Sequence, residues 1–231
     1  NEGAGTVHPE ALQAAIAEHR ADLGIALDGD GDRVLMADGE GRLYDGDELL
    51  YVIARERARE GSLKGVAGTL MTNLALEHAL AKMGVAFGRA KVGDRYVLEM
   101  LQERNWQLGG ENSGHIICLD KHTTGDGIVS ALQVLSAVRA SGATLGELCR
   151  DLALYPQELV NVRVAKGFDW QKEPAIVRAK GDAERTLGTN GRVLLRPSGT
   201  EPVLRVMVEG KDDADVRRLA KMIADTVREA A

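Results

Sequence analysis

The sequence is poor in cysteine, has no long apolar run and carries no surplus of positive charge. Its two cysteines, Cys118 and Cys149, both sit in apolar surroundings, which reads as buried, reduced thiols of a cytoplasmic protein. No stretch reaches membrane-spanning length and no secretory leader pattern is visible, so no membrane partner is expected. A formal net charge of −6 over 231 residues argues against nucleic acid as a general partner. It leaves room for a local basic pocket that takes a small anion. Neither a Walker loop nor Gly-x-Gly-x-x-Gly occurs, which removes the usual warrant for a nucleotide fold. There is no internal repeat and no low-complexity tract. What remains, 44% hydrophobic and 28% charged residues, is ordinary for a globular protein. The opening Asn1-Glu-Gly-Ala-Gly-Thr6 is not an initiator sequence and runs almost at once into a helical pattern, so the chain is expected to be cut from a longer one.

One stretch stands out: Asp28-Gly-Asp-Gly-Asp-Arg33, a carboxylate at every second position with glycines between. Glycine lets the backbone fold tightly, so Asp28, Asp30 and Asp32 can face one point. A hard divalent cation offsets their repulsion, and Mg²⁺ takes oxygen ligands and commonly shares its site with a phosphate. An EF-hand also begins with alternating Asp, but it needs Gly where Arg33 stands and Glu where Gly39 stands. A solvated acidic turn is the plainer alternative, since Asp and Gly dominate turns. Arg33 favours the cation site, because a guanidinium beside a carboxylate cluster suits a phosphate held next to a metal. Residues 23–27 and 34–37 read as short buried strands either side of the loop.

In chain order, helical spacing covers residues 9–21, with Leu12, Ala15 and Ile16 on one side. After the acidic loop come a third short strand (42–44) and a helix through Arg59. Asp45 with Glu48 is its capping-box start and Gly61 its stop. A strand (66–70), a helix stopped by Gly84 (74–83) and a strand (85–90) follow. Lys91-Val-Gly-Asp-Arg95 is then a strand-to-helix turn whose N–H groups can hold an anion. Leu108-Gly-Gly-Glu-Asn-Ser-Gly-His115 places Glu111, Asn112, Ser113 and His115 among glycines, a density of donors and acceptors that suits several hydroxyl groups; a hairpin facing water is the alternative. A strand (116–119), a helix (128–140) with Leu132, Leu135 and Val138 as its apolar face, and a short helix (145–152) complete this part. Tyr155-Pro156 marks a linker. Beyond it the order is strand, helix, strand, strand, helix (159–164, 174–187, 193–196, 203–208, 214–228), which gives two helices on one face of a small antiparallel sheet. Arg196-Pro-Ser-Gly-Thr-Glu-Pro202, with Arg205 just beyond, is a phosphate cradle by composition: hydroxyls on Ser198 and Thr200, close approach at Gly199, charge from the two arginines. The alternative is a polar hairpin with an ion pair to Glu201.

The acidic hexapeptide, Gly109-Gly-Glu-Asn-Ser-Gly-His115 and Arg196-Pro-Ser-Gly-Thr-Glu-Pro202 resemble, in this order, the metal, sugar and phosphate loops of the α-D-phosphohexomutases. Lys91-Val-Gly-Asp-Arg95 is similar to that family's further substrate-contact turn. The resemblance covers essentially the whole chain, and Ile116-Ile117 with Ser198-Gly-Thr200 tilt it toward the family's bacterial glucosamine-phosphate branch over its mannose- and glucose-phosphate branches. It implies an α/β fold: the end of a second domain (1–37) with the metal loop, a mixed α/β third domain (38–154) with the sugar loop, and a small α+β fourth domain (155–231) with the phosphate loop. It also implies a first domain, not in this sequence, whose phosphorylated serine transfers the phosphoryl group. The implied reaction interconverts hexosamine 6- and 1-phosphates through a 1,6-bisphosphate and leads toward cell-wall precursors. Implied roles are Mg²⁺ on Asp28, Asp30 and Asp32; substrate contacts from Lys91, Gly93, Asp94, Arg95, Glu111, Asn112, Ser113, Arg196, Ser198, Gly199, Thr200 and Arg205; and Arg33 and His115 at the reacting centre. For His115, proton transfer and orientation of the substrate both stay open. A non-catalytic phosphosugar-binding module or a bare folded scaffold are the alternatives, and homo-oligomerisation is left open.

Overall fold

Asp45 and Glu48 close the capping box that the sequence suggests. The Asp45 carboxylate accepts from the N–H groups of Asp47 and Glu48, and the Glu48 carboxylate accepts from the N–H of Asp45. Donors that a helix start leaves free are thereby satisfied. The structure, a computed structural model, describes residues 2–198 and 201–231 and divides into two units, Asn1–Ala153 and Leu154–Ala231.

The first unit opens with α1 (Glu10–His19), ended by Arg20 in the left-handed region at φ 51°. An antiparallel sheet follows, β1 (Leu23–Leu27), β2 (Val34–Asp38) and β3 (Leu43–Tyr44), in that spatial order. Leu27 pairs with Val34, so the acidic loop closes the β1–β2 hairpin. Next come α2 (Gly46–Arg59), β4 (Gly65–Thr69), α3 (Leu74–Lys82), β5 (Ala86–Ala90), α4 (Asp94–Arg104), β6 (Leu108–Gly110), β7 (Ile116–Cys118), α5 (Gly127–Ser141) and α6 (Leu145–Cys149). The second sheet runs β5-β4-β6-β7; β4 is parallel to both β5 and β6, and β6 is antiparallel to β7. Ala67, Ala90 and Ile117 pack on Val97 and Leu101 of α4. The alternate residues Val66, Leu108 and Ile116 are buried on the other face, where α2 and α5 lie. The loops after β5 and β6 leave the carboxyl ends of parallel strands, the end at which ligands gather in α/β sheets.

In the second unit β10 (Val203–Gly210) lies between β8 (Gln157–Arg163) and β9 (Gly191–Pro197), all antiparallel. Helices α7 (Pro174–Leu187) and α8 (Asp213–Ala230) cover one face, as expected. Ile176, Ala183, Leu219, Ile223 and Val227 form one core with Val162, Leu195, Leu204, Val206 and Val208. Cys118 and Cys149 are free and buried, and burial pushes their thiols up to about 11 and about 12. Among the described residues no helix is long and apolar enough to cross a membrane.

Three expectations need correction. Strand β1 is not buried throughout: α1 covers Gly24, while Ile25 is 41% exposed. Leu108-Gly-Gly110 is a fully buried strand and not part of a polar loop. Its glycines read as turn residues, but pairing between β4 and β7 overrides that preference. Finally, α5 does not bury the face drawn through Leu132. Ser130, Ala131, Val134 and Ala137 face inward, and Leu132 is 56% exposed. Small side chains let α5 approach α2 and β7 closely, and the larger apolar residues on its other side were the misleading signal.

Candidate active site

The acidic loop is a tight turn held by its own backbone. The N–H of Gly31, at φ 74°, donates to the Asp28 carbonyl at 3.2 Å, and the N–H of Arg33 donates to Asp28 Oδ1 at 3.2 Å. The turn brings the Asp28 and Asp32 carboxyl groups close enough to shift each other's protonation. Arg33 Nε stands 3.8 Å from Asp28 Oδ2, and His115 Nε2 stands 3.6 Å from Asp32 Oδ2. Burial by itself raises the Asp28 carboxyl, but the Arg33 N–H, the Asp32 side chain and the Arg33 charge hold it below the ordinary carboxylate value. Asp32 goes the other way: burial and the charge of Asp28 raise it against the pull of His115 and Arg33.

Asp30 stays outside this pair. It is exposed, and among the described residues no group of three or more such side chains is gathered closely enough to hold a metal ion. The expected convergence of three carboxylates is thus realised for two. Arg33 stands beside Asp28 and the His115 ring beside Asp32, whereas no ion pair among the described residues reaches Asp30. The donor chemistry nevertheless suits Mg²⁺, because the side-chain ligands that the loop itself offers are carboxylate oxygens.

The sugar loop is locked to the acidic loop. Arg33 and His115 form an antiparallel β-bridge, and the N–H of Val34 donates to the Gly114 carbonyl at 3.1 Å. Within the loop the Glu111 N–H donates to the His115 carbonyl at 2.9 Å and the Gly114 N–H returns to Glu111 at 3.0 Å. This turn leaves Asn112 and Ser113 exposed at its tip and His115 buried, 4% exposed. Glu111 Oε1 accepts the N–H of Gly93 at 3.0 Å, which ties the sugar loop to the Lys91–Arg95 turn. Lys91 and Asp94 are exposed, Lys91 Nζ lies 5.5 Å from the Tyr96 ring, and Arg95 is paired with Glu99 on its own helix at 2.8 Å. An exposed pair of that kind is worth little and yields easily to a better anion.

Gly46 is a site residue the sequence reading missed. Its N–H donates to the Asn112 carbonyl at 3.0 Å, and a methyl group there would lie 2.0 Å from the Glu111 carbonyl oxygen. The available signal was a glycine at the first helical position, directly after an Asp cap, where alanine propagates a helix better.

The second unit brings together two arginines of the expected phosphate cradle. Arg196 and Arg205 are direct cross-strand partners on β9 and β10, so their side chains share one face of the sheet. Arg205 Nε is buried without a hydrogen-bond partner, and no ion pair among the described residues reaches either arginine, Glu201 included. Burial and the neighbouring Arg205 charge lower Arg196 from its ordinary value. Ser198 anchors the turn: its N–H donates to the Val203 carbonyl at 2.8 Å, and its Oγ accepts the Glu201 N–H at 3.3 Å. Gly199 and Thr200 lie outside the described residues.

The Lys91–Arg95 turn, the Gly109–His115 loop and the paired arginines fall within family matches, and the acidic loop precedes them. Residues 45–155 match the phosphoglucomutase/phosphomannomutase α/β/α domain III and residues 159–226 match the C-terminal domain of the same family. The chain belongs to the phosphoglucomutase/phosphomannomutase family, the α-D-phosphohexomutases, and has that family's mixed α/β architecture. Among its relatives is the phosphoglucosamine mutase of Aromatoleum aromaticum, 64% identical over 100% of this chain and 51% of the relative. That of an Azoarcus species is 65% identical over 98% of this chain and 50% of the relative. The chain therefore spans about half the length of the curated relatives it matches. The fold is that of Aspergillus fumigatus N-acetylphosphoglucosamine mutase in complex with GlcNAc-6P and magnesium, with a TM-score of 0.77 at 22% identity over 97% of this chain and 56% of that one. A serine-to-alanine variant of the same enzyme in complex with glucose 1,6-bisphosphate gives a TM-score of 0.72 at 23% identity over 98% of this chain and 52% of that one.

Proposed function

We propose that this chain is the metal-, sugar- and phosphate-binding portion of a phosphoglucosamine mutase. The parent enzyme interconverts glucosamine 6-phosphate and glucosamine 1-phosphate through a phosphoserine and a 1,6-bisphosphate, in the cytoplasm, on the way to UDP-N-acetylglucosamine. The observation that carries this reading is the β-bridge joining Arg33 of the acidic loop to His115 of the sugar loop, which puts an acidic cluster and a hydroxyl-binding turn on one rigid piece of backbone. Residues 1–37 are the end of the second domain, 38–154 the third and 155–231 the fourth.

Phosphoryl transfer is mostly positioning plus neutralisation of oxygen charge. Asp28 and Asp32, joined by Asp30, would hold Mg²⁺, which when bound would polarise the phosphoryl oxygens. Arg33 faces the transferring group with its side chain 48% exposed. Glu111, Asn112 and Ser113 hold sugar hydroxyls, with Lys91, Gly93, Asp94 and Arg95 beside them. Arg196, Ser198, Gly199, Thr200 and Arg205 grip the phosphate that does not react. Of the two roles open to His115, orientation is favoured over proton transfer, because the ring is buried and its Nε2 is turned to Asp32. The substrate has to turn over between half-reactions, so a fixed phosphate grip and a clamp for hydroxyls common to both orientations are what the cycle needs.

Turnover of the full-length parent on glucosamine, glucose and mannose phosphates tests the substrate; equal rates on all three would refute the glucosamine assignment. The 231 residues alone contain no Ser-His loop and are expected to bind phosphosugar without turnover. Measurable mutase activity of this piece would contradict the assignment of the donor serine to another domain.

A further inference from the structure

The turn from Thr123 to Gly127 belongs to none of the four motifs, yet its backbone touches two of them. Gly125 forms a β-bridge with Ile117, which fixes it beside β7. A methyl group built on Gly125 would lie 2.2 Å from Nε2 and 2.3 Å from Cε1 of His115, and its three nearest neighbours all belong to that one ring. Two residues on, the N–H of Gly127 donates to the Gly31 carbonyl in the acidic loop at 2.8 Å. Gly127 is the first residue of α5, so this is a donor that the helix itself cannot satisfy. Asp126 caps the same helix by accepting from Val129 N–H at 2.8 Å, and Ser130 Oγ donates to the Ile116 carbonyl at 3.2 Å. The start of α5 is thus fastened to β7 on one side and to the acidic loop on the other.

The His115 ring lies in the slot between them. Its Nδ1 is buried with no hydrogen-bond partner among the described residues, so no bond at that nitrogen fixes the ring plane. Asp32 stands on the Nε2 side at 3.6 Å, and the bare backbone of Gly125 closes the slot. We infer that Gly125 is a positioning residue of the acidic loop: it seats the His115 imidazole against Asp32, and only a residue without a side chain leaves the ring room to sit there. The consequence for cation binding rests on the function proposed above; the seating of the ring does not.

The test uses the 231-residue chain. Imidazole NMR signals of His115, assigned by their loss in His115→Ala, and Mg²⁺ affinity by calorimetry are followed in Gly125→Ala. The control is Gly181→Ala on α7, where an added methyl meets only Arg185 Nη1 at 3.6 Å. Gly125→Ala is expected to move the His115 signals and to weaken Mg²⁺ binding about 10-fold, the usual loss for a partner one shell out from a metal. Gly181→Ala should do neither. In a His115→Ala background the same Gly125→Ala change should alter Mg²⁺ affinity less than about twofold, since the ring it would strike is gone. Unmoved His115 signals in folded Gly125→Ala, or an equal loss of affinity in both backgrounds, would overturn the inference. Should Gly125→Ala fail to fold, the double variant decides: a native spectrum supports the seating, an unfolded chain refutes it. If the unaltered chain takes up no Mg²⁺, the cation reading is wrong, and the His115 signals still decide the seating of the ring.

Discussion

Glu111 Oε1 accepts a hydrogen bond from the backbone N–H of Gly93 at 3.0 Å, across 18 residues of sequence. Gly93 is the cap residue of α4, at φ 128°, so the carboxylate closes a helix start that has no side-chain cap of its own. A negative group is favourable there, because the helix end carries partial positive charge. The loops after β5 and β6 are thereby tied to each other, and one oxygen of Glu111 remains for a ligand.

Removing that tie should be measurable. Glu111→Ala is expected to cost about 1.5 kcal/mol in urea unfolding, the range for hydrogen bonds to a charged group. It should also speed amide exchange at Gly93 and weaken glucosamine 6-phosphate binding. Unchanged exchange at Gly93 would show that the contact does not persist in solution.

Gly46→Ala sets helix propensity against packing. Propensity alone favours alanine by about 1 kcal/mol. The added methyl would, however, lie 2.0 Å from the Glu111 carbonyl oxygen and 2.6 Å from Gly114 N, both backbone atoms. Overpacking of this kind costs about 1–3 kcal/mol, so a net loss of stability is expected together with weaker phosphosugar binding. A more stable variant would mean the sugar loop moves aside freely.

Glu48 gives a pH dependence. Burial, with the neighbouring Asp45 charge, pushes its carboxyl up to about 7 despite Arg42 at 2.6 Å. The folded state therefore holds this proton where the unfolded state, near 4.5, has released it. The contribution is full below the unfolded value and is lost as pH rises through about 7. Urea midpoints of the unaltered chain should fall between about pH 5 and pH 7.5 by more than those of Glu48→Gln. Parallel curves for the two proteins would place the titration elsewhere.

Much of this was legible because local chemistry set it. The capping box at Asp45 and Glu48, the stops at Gly61 and Gly84, both at φ 72°, and the span of α7 all follow from side chains acting on their own backbone. The grouping of Asp28 and Asp32 follows from alternate spacing on a hairpin turn. What the sequence hid depends on partners distant in the chain. Leu108-Gly-Gly110 is a strand only because β4 and β7 flank it, and Gly46 matters only because Glu111 lies over it. Asp30 stands apart because the side chains beside Asp28 and Asp32, Arg33 and the distant His115, do not reach it, and spacing does not encode that.

The buried face of α5 is a case where spacing misled, and substitution separates the two faces. Leu132→Gln, at a position 56% exposed, should change stability by less than about 0.5 kcal/mol. Val134→Ala, at a position 0% exposed, removes two buried methyl groups and should cost about 2 kcal/mol. Equal losses in urea unfolding would restore the face through Leu132 as the packed one.

Arg196 and Arg205 face each other across β9 and β10 with no carboxylate between them among the described residues, an arrangement that costs stability in the absence of an anion. Like charges opposite one another in a sheet are unfavourable by about 0.2–1 kcal/mol, so Arg205→Gln should leave the chain as stable or slightly more stable in chloride. The same change should remove a response to phosphate. An anion that binds only the folded state raises the melting temperature as its concentration rises. Inorganic phosphate should therefore raise the melting temperature of the unaltered chain above that in chloride of equal ionic strength, and should not do so in Arg205→Gln. If phosphate stabilises both proteins alike, the paired arginines are not its site and the charge repulsion between them has some other use. If Arg205→Gln is less stable in chloride by more than about 1 kcal/mol, the guanidinium is held by contacts that outweigh its repulsion from Arg196.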